Sequence, residues 1–329
     1  MSATSITSNP GWNASTTAEE VASALSSSIA GKTILVTGVL PGGLGAHFVN
    51  VISAHHPKLL ILADRSGPKL AEFAQELETA HPGVAIRTLE IDLSSQAEIR
   101  KAAAEVLSWP EAIDVLVNNA GVMSPTYQKT ADGLEIHFGT NYIGHFLFTN
   151  LIMPKLLESK SSPRVVNVSS DGHRLSDIRW DDLNFQDGKV YNMWRAYGQS
   201  KTALMLFSVE LAHRLGSKGF RTFSIHPGAI WTNLSRFTSD KDWAGLKALD
   251  QELGHKQGSE ELKTKNFSQG TATHVVAAFD PKLDEHNGVY LQDCQLAPSE
   301  EVEPYAVDKA SAKRLWSLSE KIVGQSFSY

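Results

Sequence analysis

The chain has 329 residues, 42% of them hydrophobic and 20% charged, with a formal charge of -6, which is enough apolar mass for a large α/β domain. The acidic balance offers no basic field for a nucleic acid, and no apolar run reaches the ~20 residues that a membrane-spanning helix needs. The single cysteine, Cys294, excludes an internal disulfide framework and a cysteine-cluster metal site, which suits a reducing compartment.

Residues 1–15, "MSATSITSNPGWNAS", are polar and carry neither a basic n-region nor an apolar h-region. They are expected to form a flexible arm ahead of one domain over 16–329, and the cytoplasm is the expected location. Thr16 precedes Glu19 at capping-box spacing and Val21, Leu25 and Ile29 share a helical face, so a short helix ending at Gly31 is expected. From Lys32 onward, strand-like runs alternate with amphipathic segments. The runs are "KTILVTG", "KLLILAD", "VAIRTLEID", "DVLVNNAG", "RVVNVSS", "RTFSIHPG" and "GVYLQDC". Between them "PKLAEFAQELETA" places Leu70, Phe73 and Leu77 on one face, and in "SQAEIRKAAAEVL" Ser95 and Glu98 again have capping-box spacing. Near-continuous apolar strands separated by helices predict an α/β fold, a doubly wound parallel sheet of Rossmann type, with its ligand site beyond the carboxyl ends of the strands. The alternation breaks at about residues 231–270, a polar stretch with scattered Trp and Phe, which is expected as a lid inserted in the single domain.

Residues 37–45 read "TGVLPGGLG", between the apolar "KTILV" and the helix-like "AHFVNVIS". A helix N-terminus presents unpaired N–H groups and partial positive charge, and glycines let a pyrophosphate approach the backbone. Strand, glycine turn and helix together are the context of a nucleotide site, although a turn with packing value alone has the same local pattern. Four residues separate Gly38 from Gly43, one more than usual, so Gly43 and Gly45 are read as the pair at the helix start. Asp64 ends the second strand, where a carboxylate accepts hydrogen bonds from a ribose and repels a 2′-phosphate, favouring NAD. Arg65 follows and suits that phosphate. The two residues point opposite ways, and the cofactor is read as NADP or NAD.

With these go Asp92-Leu93, Asn118-Asn119-Ala120-Gly121, Asn141, Ser169-Ser170, Tyr197-Gly198-Gln199-Ser200-Lys201 and Pro227-Gly228 followed by Thr232. In this order they resemble the short-chain dehydrogenase/reductase family, over roughly Lys32 to Cys294. The gap between Ser170 and Tyr197, with "NYIGHFLFTNLIMPKL" and "NVSSDGHR", is similar to the retinol-dehydrogenase-like branch. The acidic N-terminal helix and the glycine loop are similar to those of fungal members from secondary metabolism.

The resemblance implies catalysis by Asn141, Ser170, Tyr197 and Lys201, with Ser170 rather than Ser169 as the catalytic serine. It implies a cofactor held by Gly38, Gly43, Leu44, Gly45, Asp64, Arg65, Asp92, Leu93, Asn119, Tyr197, Lys201 and Thr232, and a proton relay linking Asn141, a water and Lys201. Tyr197 and Lys201 are four apart, so a helix puts them on one face. Lowering a tyrosine from ~10 to about 7 takes roughly 4 kcal/mol, which one ammonium a few ångströms away supplies at an effective dielectric near ~20. Lys201, helped by the charge of the oxidised nicotinamide, is therefore expected to make Tyr197 the general acid/base. Alone, Tyr and Lys at this spacing are a common surface pair.

The function expected is NAD(P)-dependent interconversion of a hydroxyl and a carbonyl on a small hydrophobic molecule, entering beside Met123, His173, Tyr191, Trp194, Ile230 and the lid. No metal and no nucleic-acid partner are expected, and a homo-oligomer is left open. Two other functions share the pattern. One is a non-catalytic nucleotide sensor on the same fold, which has no use for the Tyr, Lys, Ser and Asn set. The other is a sugar-nucleotide epimerase or dehydratase, for which the tail after Cys294 is short.

Overall fold

Apolar strands need cover on both sides, and the helices between them supply it. The computed structural model describes residues 5–255 and 263–329. The first half alternates α1 (Ala18–Ala24), α2 (Ser26–Ile29), β1 (Thr33–Thr37), α3 (Leu44–Ser53), β2 (Leu59–Asp64), α4 (Gly67–Ala80), β3 (Ile86–Glu90), α5 (Gln96–Ser108) and β4 (Val115–Asn118). Next come α6 (Gly144–Leu151), α7 (Met153–Leu157), β5 (Arg164–Val168), α8 (Met193–Leu215) and β6 (Arg221–His226). The chain ends with α9 (Asp240–Glu252), α10 (Phe267–Phe279), β7 (Tyr290–Gln292), β8 (Gln295–Leu296) and α11 (Lys309–Val323).

The eight strands form one sheet in the order β3-β2-β1-β4-β5-β6-β7-β8. The first seven are parallel, and β8 folds back antiparallel on β7. Side chains alternate between faces along a strand. Leu35 and Leu116 accordingly join a core with α5, α6, α8 and α11, whereas Ile34, Val36, Val115 and Val117 join a second core with α1, α3, α4 and α10. Both faces are buried, as the uninterrupted apolar runs require. Strand order reverses between β1 and β4, and the crevice of a doubly wound sheet opens there, where Gly38 and Asn119 follow their strands.

Several local expectations change. The N-terminal capping box is Thr17 with Glu20, one residue later than read, because the Thr16 hydroxyl instead accepts the Asn13 N–H at 2.9 Å. The helix that follows breaks at Leu25 into α1 and α2. Residues 5–15, expected as flexible, lie against the sheet edge: Trp12 is buried, Ser8 N–H donates to Asp280 at 2.7 Å and Gln295 Nε2 donates to the Trp12 carbonyl at 3.0 Å. The hairpin to β8 turns through Asp293 and Cys294, both with positive φ. Burial pushes the Cys294 thiol up to about 11, which leaves it a core side chain.

The stretch expected as a lid contains α9, whose Trp243, Leu246 and Leu249 pack on Met193 and Trp194 of α8. Trp194 Nε1 donates to the Asp242 carbonyl at 2.7 Å, and Arg174 joins Asp250 at 2.9 Å with both side chains under 10% exposed. Residues 256–262 of that stretch lie outside the described residues.

Candidate active site

The glycine turn is shaped by steric need at two positions. Gly38 has φ +72, and a Cβ there would lie 2.6 Å from Ala120 Cα. At Gly45 a Cβ would lie 2.4 Å from the Gly38 carbonyl oxygen and 2.5 Å from Asn119 Nδ2. Glycine removes these clashes and lets the β1 and β4 turns touch. Asn119 Nδ2 donates to the carbonyls of Thr37 and Gly38 at 2.9 Å each, which ties the turns together. Gly43 is the N-cap of α3 and gives it no side-chain acceptor, while Leu44 and Gly45 form its first turn. The first N–H groups therefore face outward without a side-chain cap, as an anion-binding helix start requires. A nicotinamide dinucleotide fits this cradle.

The extra residue in the turn is held from two sides. Asp64 accepts the Arg65 N–H at 2.8 Å, while Asn233 N–H donates to Gly42 O at 2.9 Å and Asn233 Nδ2 to Pro41 O at 2.9 Å. Thr232 caps the short helical turn that carries Asn233. Asp92 accepts from Ser94 N–H at 2.9 Å, and Leu93 is buried with its carbonyl packed on Gly144.

Across the crevice, α8 carries Tyr197 and Lys201 on one face, with Lys201 Nζ 5.3 Å from the Tyr197 ring centroid. Ser169 and Ser170 follow β5 and diverge: the Ser169 hydroxyl donates to the Lys201 carbonyl at 2.8 Å, whereas the Ser170 hydroxyl accepts the Gly172 N–H at 3.0 Å and lies on the Tyr197 side, where it lowers the phenol's pKa. Lys201 Nζ donates to the Val168 carbonyl at 2.8 Å. Asn141 lies in a π-helical segment, Phe138–Ile143, where its side chain accepts from Val122 N–H at 2.8 Å and donates to Ser200 Oγ at 3.1 Å. Among the described residues Asn141 and Lys201 share no direct hydrogen bond.

Burial dominates the electrostatics. It raises Tyr197 to about 12, against a lowering by the Ser170 hydroxyl and with a smaller rise from Asp171, and it lowers Lys201 to about 7. In the resting site burial is the largest influence on Tyr197 and keeps it protonated at neutral pH, whereas the expected lowering by Lys201 also calls on the charge of a bound oxidised nicotinamide.

A model of the short chain dehydrogenase family matches residues 32–180. The short-chain dehydrogenase/reductase prx1 of Penicillium rubens is 38% identical over 309 residues, covering 90% of this chain and 86% of that protein. Retinol dehydrogenase 14 of Homo sapiens is 34% identical over 305 residues, covering 89% and 87%. The chain belongs to the short-chain dehydrogenase/reductase family. It is an NAD(P)-dependent oxidoreductase. A crystal structure of a protein from Mycobacterium paratuberculosis, 29% identical, superposes with a TM-score of 0.68 over 92% of this chain and 96% of its own. An NADPH-bound carbonyl reductase from chicken fatty liver shares the fold at a TM-score of 0.57 and 20% identity, over 82% and 99%.

In this dehydrogenase/reductase the wall over Tyr197 is apolar, formed by Met123, Leu175, Met193, Trp194 and Leu249, with Tyr191, Leu234, Trp243 and Leu246 beside them. His173 is not part of it: fully buried, it bonds the Ser170 carbonyl at 2.9 Å and accepts Glu303 N–H at 3.3 Å. Ile230 packs against Gly270.

Sequence reasoning also missed a buried pair behind the oxidoreductase's wall. His137 Nδ1 donates to Glu135 at 2.7 Å while Nε2 accepts Ser124 N–H at 2.9 Å, and the Ser124 carbonyl accepts the Tyr191 hydroxyl at 2.7 Å. Glu135 and His137, two residues apart beside the Asn141 helix, were its signal in the sequence. Among the described residues no helix is long and apolar enough to cross a membrane.

Proposed function

We propose that this enzyme reduces a carbonyl on a small hydrophobic molecule to a hydroxyl, with Tyr197 as the proton donor. The observation that carries the reading is the state of Tyr197: 6% exposed, beside Ser170, held protonated by burial and walled by apolar side chains. Bound in the crevice, the reduced nicotinamide supplies the hydride. Ser170 orients the substrate oxygen, and Tyr197 delivers a proton to it. Lys201, which burial lowers to about 7, steadies in its protonated form the tyrosinate left behind. Asn141 holds the Val122 loop and Ser200 in place. The closed α9 wall excludes water from the reacting carbon and favours apolar substrates. A cytoplasmic location belongs to this reading.

For the cofactor we favour NADPH. The Asp64 carboxylate is partly buried and turned to its own loop, accepting the Arg65 N–H at 2.8 Å, while the Arg65 side chain beside it is exposed and suits a 2′-phosphate. Titrating both reduced cofactors by tryptophan fluorescence is expected to show tighter NADPH binding. Arg65→Ala should lose about tenfold of that affinity, on the order of 1.4 kcal/mol, and leave NADH unchanged. A screen of apolar ketones and alcohols, followed by NADPH absorbance, tests the reaction itself. NADPH binding with no turnover on any of them would favour a nucleotide sensor.

A further inference from the structure

The helix carrying Asn141 is irregular where it matters: the π-helical segment Phe138–Ile143 runs into α6 beginning at Gly144. Such bulges change which carbonyls the helix itself satisfies and frequently occur at functional sites. Here the Asn141 carbonyl accepts a side-chain donor, His145 Nδ1, at 2.8 Å. A carbonyl oxygen only accepts, so His145 carries its hydrogen on Nδ1 and its Nε2 is an acceptor. The hydroxyl of Thr37 lies 2.9 Å from that Nε2. Thr37 Oγ1 already accepts the N–H groups of Asn119 and Ala120 at 3.0 Å each, so its own hydrogen is free to donate, and Nε2 is closer than the alternative, Val117 O, at 3.4 Å. On the other side, Asn141 Nδ2 donates to Ser200 Oγ at 3.1 Å and Ser200 donates to the Tyr197 carbonyl at 2.7 Å.

The result is a directed chain of hydrogen bonds from the end of β1, where the cofactor turn begins, to the backbone of Tyr197. Thr37, Asn141, His145 and Ser200 are all 0% exposed, so no water competes for the links and an unmade one would leave a buried polar group unpaired. We propose that His145 is a positioning residue for the reaction at Tyr197: Nδ1–H fixes the Asn141 carbonyl, and Nε2, held by Thr37, registers the cofactor turn against the helix bearing Tyr197 and Lys201. The inference rests on the Tyr197 assignment made above. Burial lowers the imidazole to about 4, so His145 stays neutral at working pH and acts as a strut, not as an acid or base.

Two substitutions cut the strut at different ends. Asparagine reaches as far as Nδ1 and keeps the donor to Asn141 while losing Thr37; glutamine reaches the Nε2 position and does the reverse. His145→Gln should lower kcat by about 10- to 100-fold with near-normal cofactor affinity by tryptophan fluorescence. His145→Asn, the conservative rescue, should recover most of kcat and instead weaken cofactor binding several-fold. Nitrogen-15 spectra of the histidines in the full chain without cofactor should show His145 as the neutral Nδ1–H tautomer from pH 6 to 8. The proposal is overturned by the Nε2–H tautomer, by the two variants losing kcat and affinity together in step with their melting temperatures, or by full wild-type behaviour of His145→Gln. Full turnover in Tyr197→Phe would strike down the tyrosine assignment separately, since the tautomer and the affinity difference are read without it.

Discussion

Tyr197→Phe is expected to lower turnover by about 10²- to 10⁴-fold, the range of a general acid, while NADPH affinity changes little. The ring keeps its apolar contacts with Met123, Trp194 and Leu249, so the fold loses only the hydroxyl. Pre-steady-state traces with a saturating apolar ketone measure the hydride step directly. A Phe variant that reduces the ketone at the wild-type rate would remove Tyr197 from the mechanism. Because burial holds Tyr197 at about 12, its proton is present throughout the neutral range, and reduction should lose its acid form only in strongly alkaline solution.

Lys201→Met is expected to move activity and stability in opposite directions. Turnover should fall about 10²-fold or more, since no cation then faces the tyrosinate. Stability at pH 7 should rise. The folded lysine titrates at about 7, while the unfolded one titrates near ~10.4. Between those values the unfolded state binds more protons, so this group's contribution to stability increases with pH across the window. Below pH 7 both states are protonated and the cost of burying the cation is fully present. Methionine removes that cost and gives up one hydrogen bond to Val168, a loss of about 1 kcal/mol. The wild type should therefore gain on the variant as pH rises from 7 to 9.5, and at pH 7 the variant should melt about 5 °C higher. Thermal melts of both proteins across that range check the sign; a variant that melts lower at pH 7 would show that Lys201 is held by more than it costs.

Together these substitutions separate the two jobs of the buried site. The fold excludes water over Tyr197 with α9, and the same exclusion strains a lysine that the chemistry needs charged. Arg174 and Asp250 hold that cover in place from beneath.

Much of this was legible in the sequence because it depends on short-range periodicity. Apolar runs at strand length, separated by helices with Leu70, Phe73 and Leu77 on one face, dictate a parallel sheet buried on both sides. Tyr197 and Lys201 share a face because four residues make about one helical turn. The glycines at 38 and 45 mark a close backbone approach wherever the turn is found. Other features depend on which distant segments meet. Thr37 and His145 are 108 residues apart and join only because the β1 end packs against the Asn141 helix. His173 looked like a pocket residue until Glu303 and Tyr290 covered it. The protonation of the Tyr–Lys pair is the clearest case. Spacing determines that the two groups are neighbours, but desolvation depends on everything stacked over them, and only the assembled sheet, α8 and α9 decide that Tyr197 rests neutral and Lys201 titrates near neutrality.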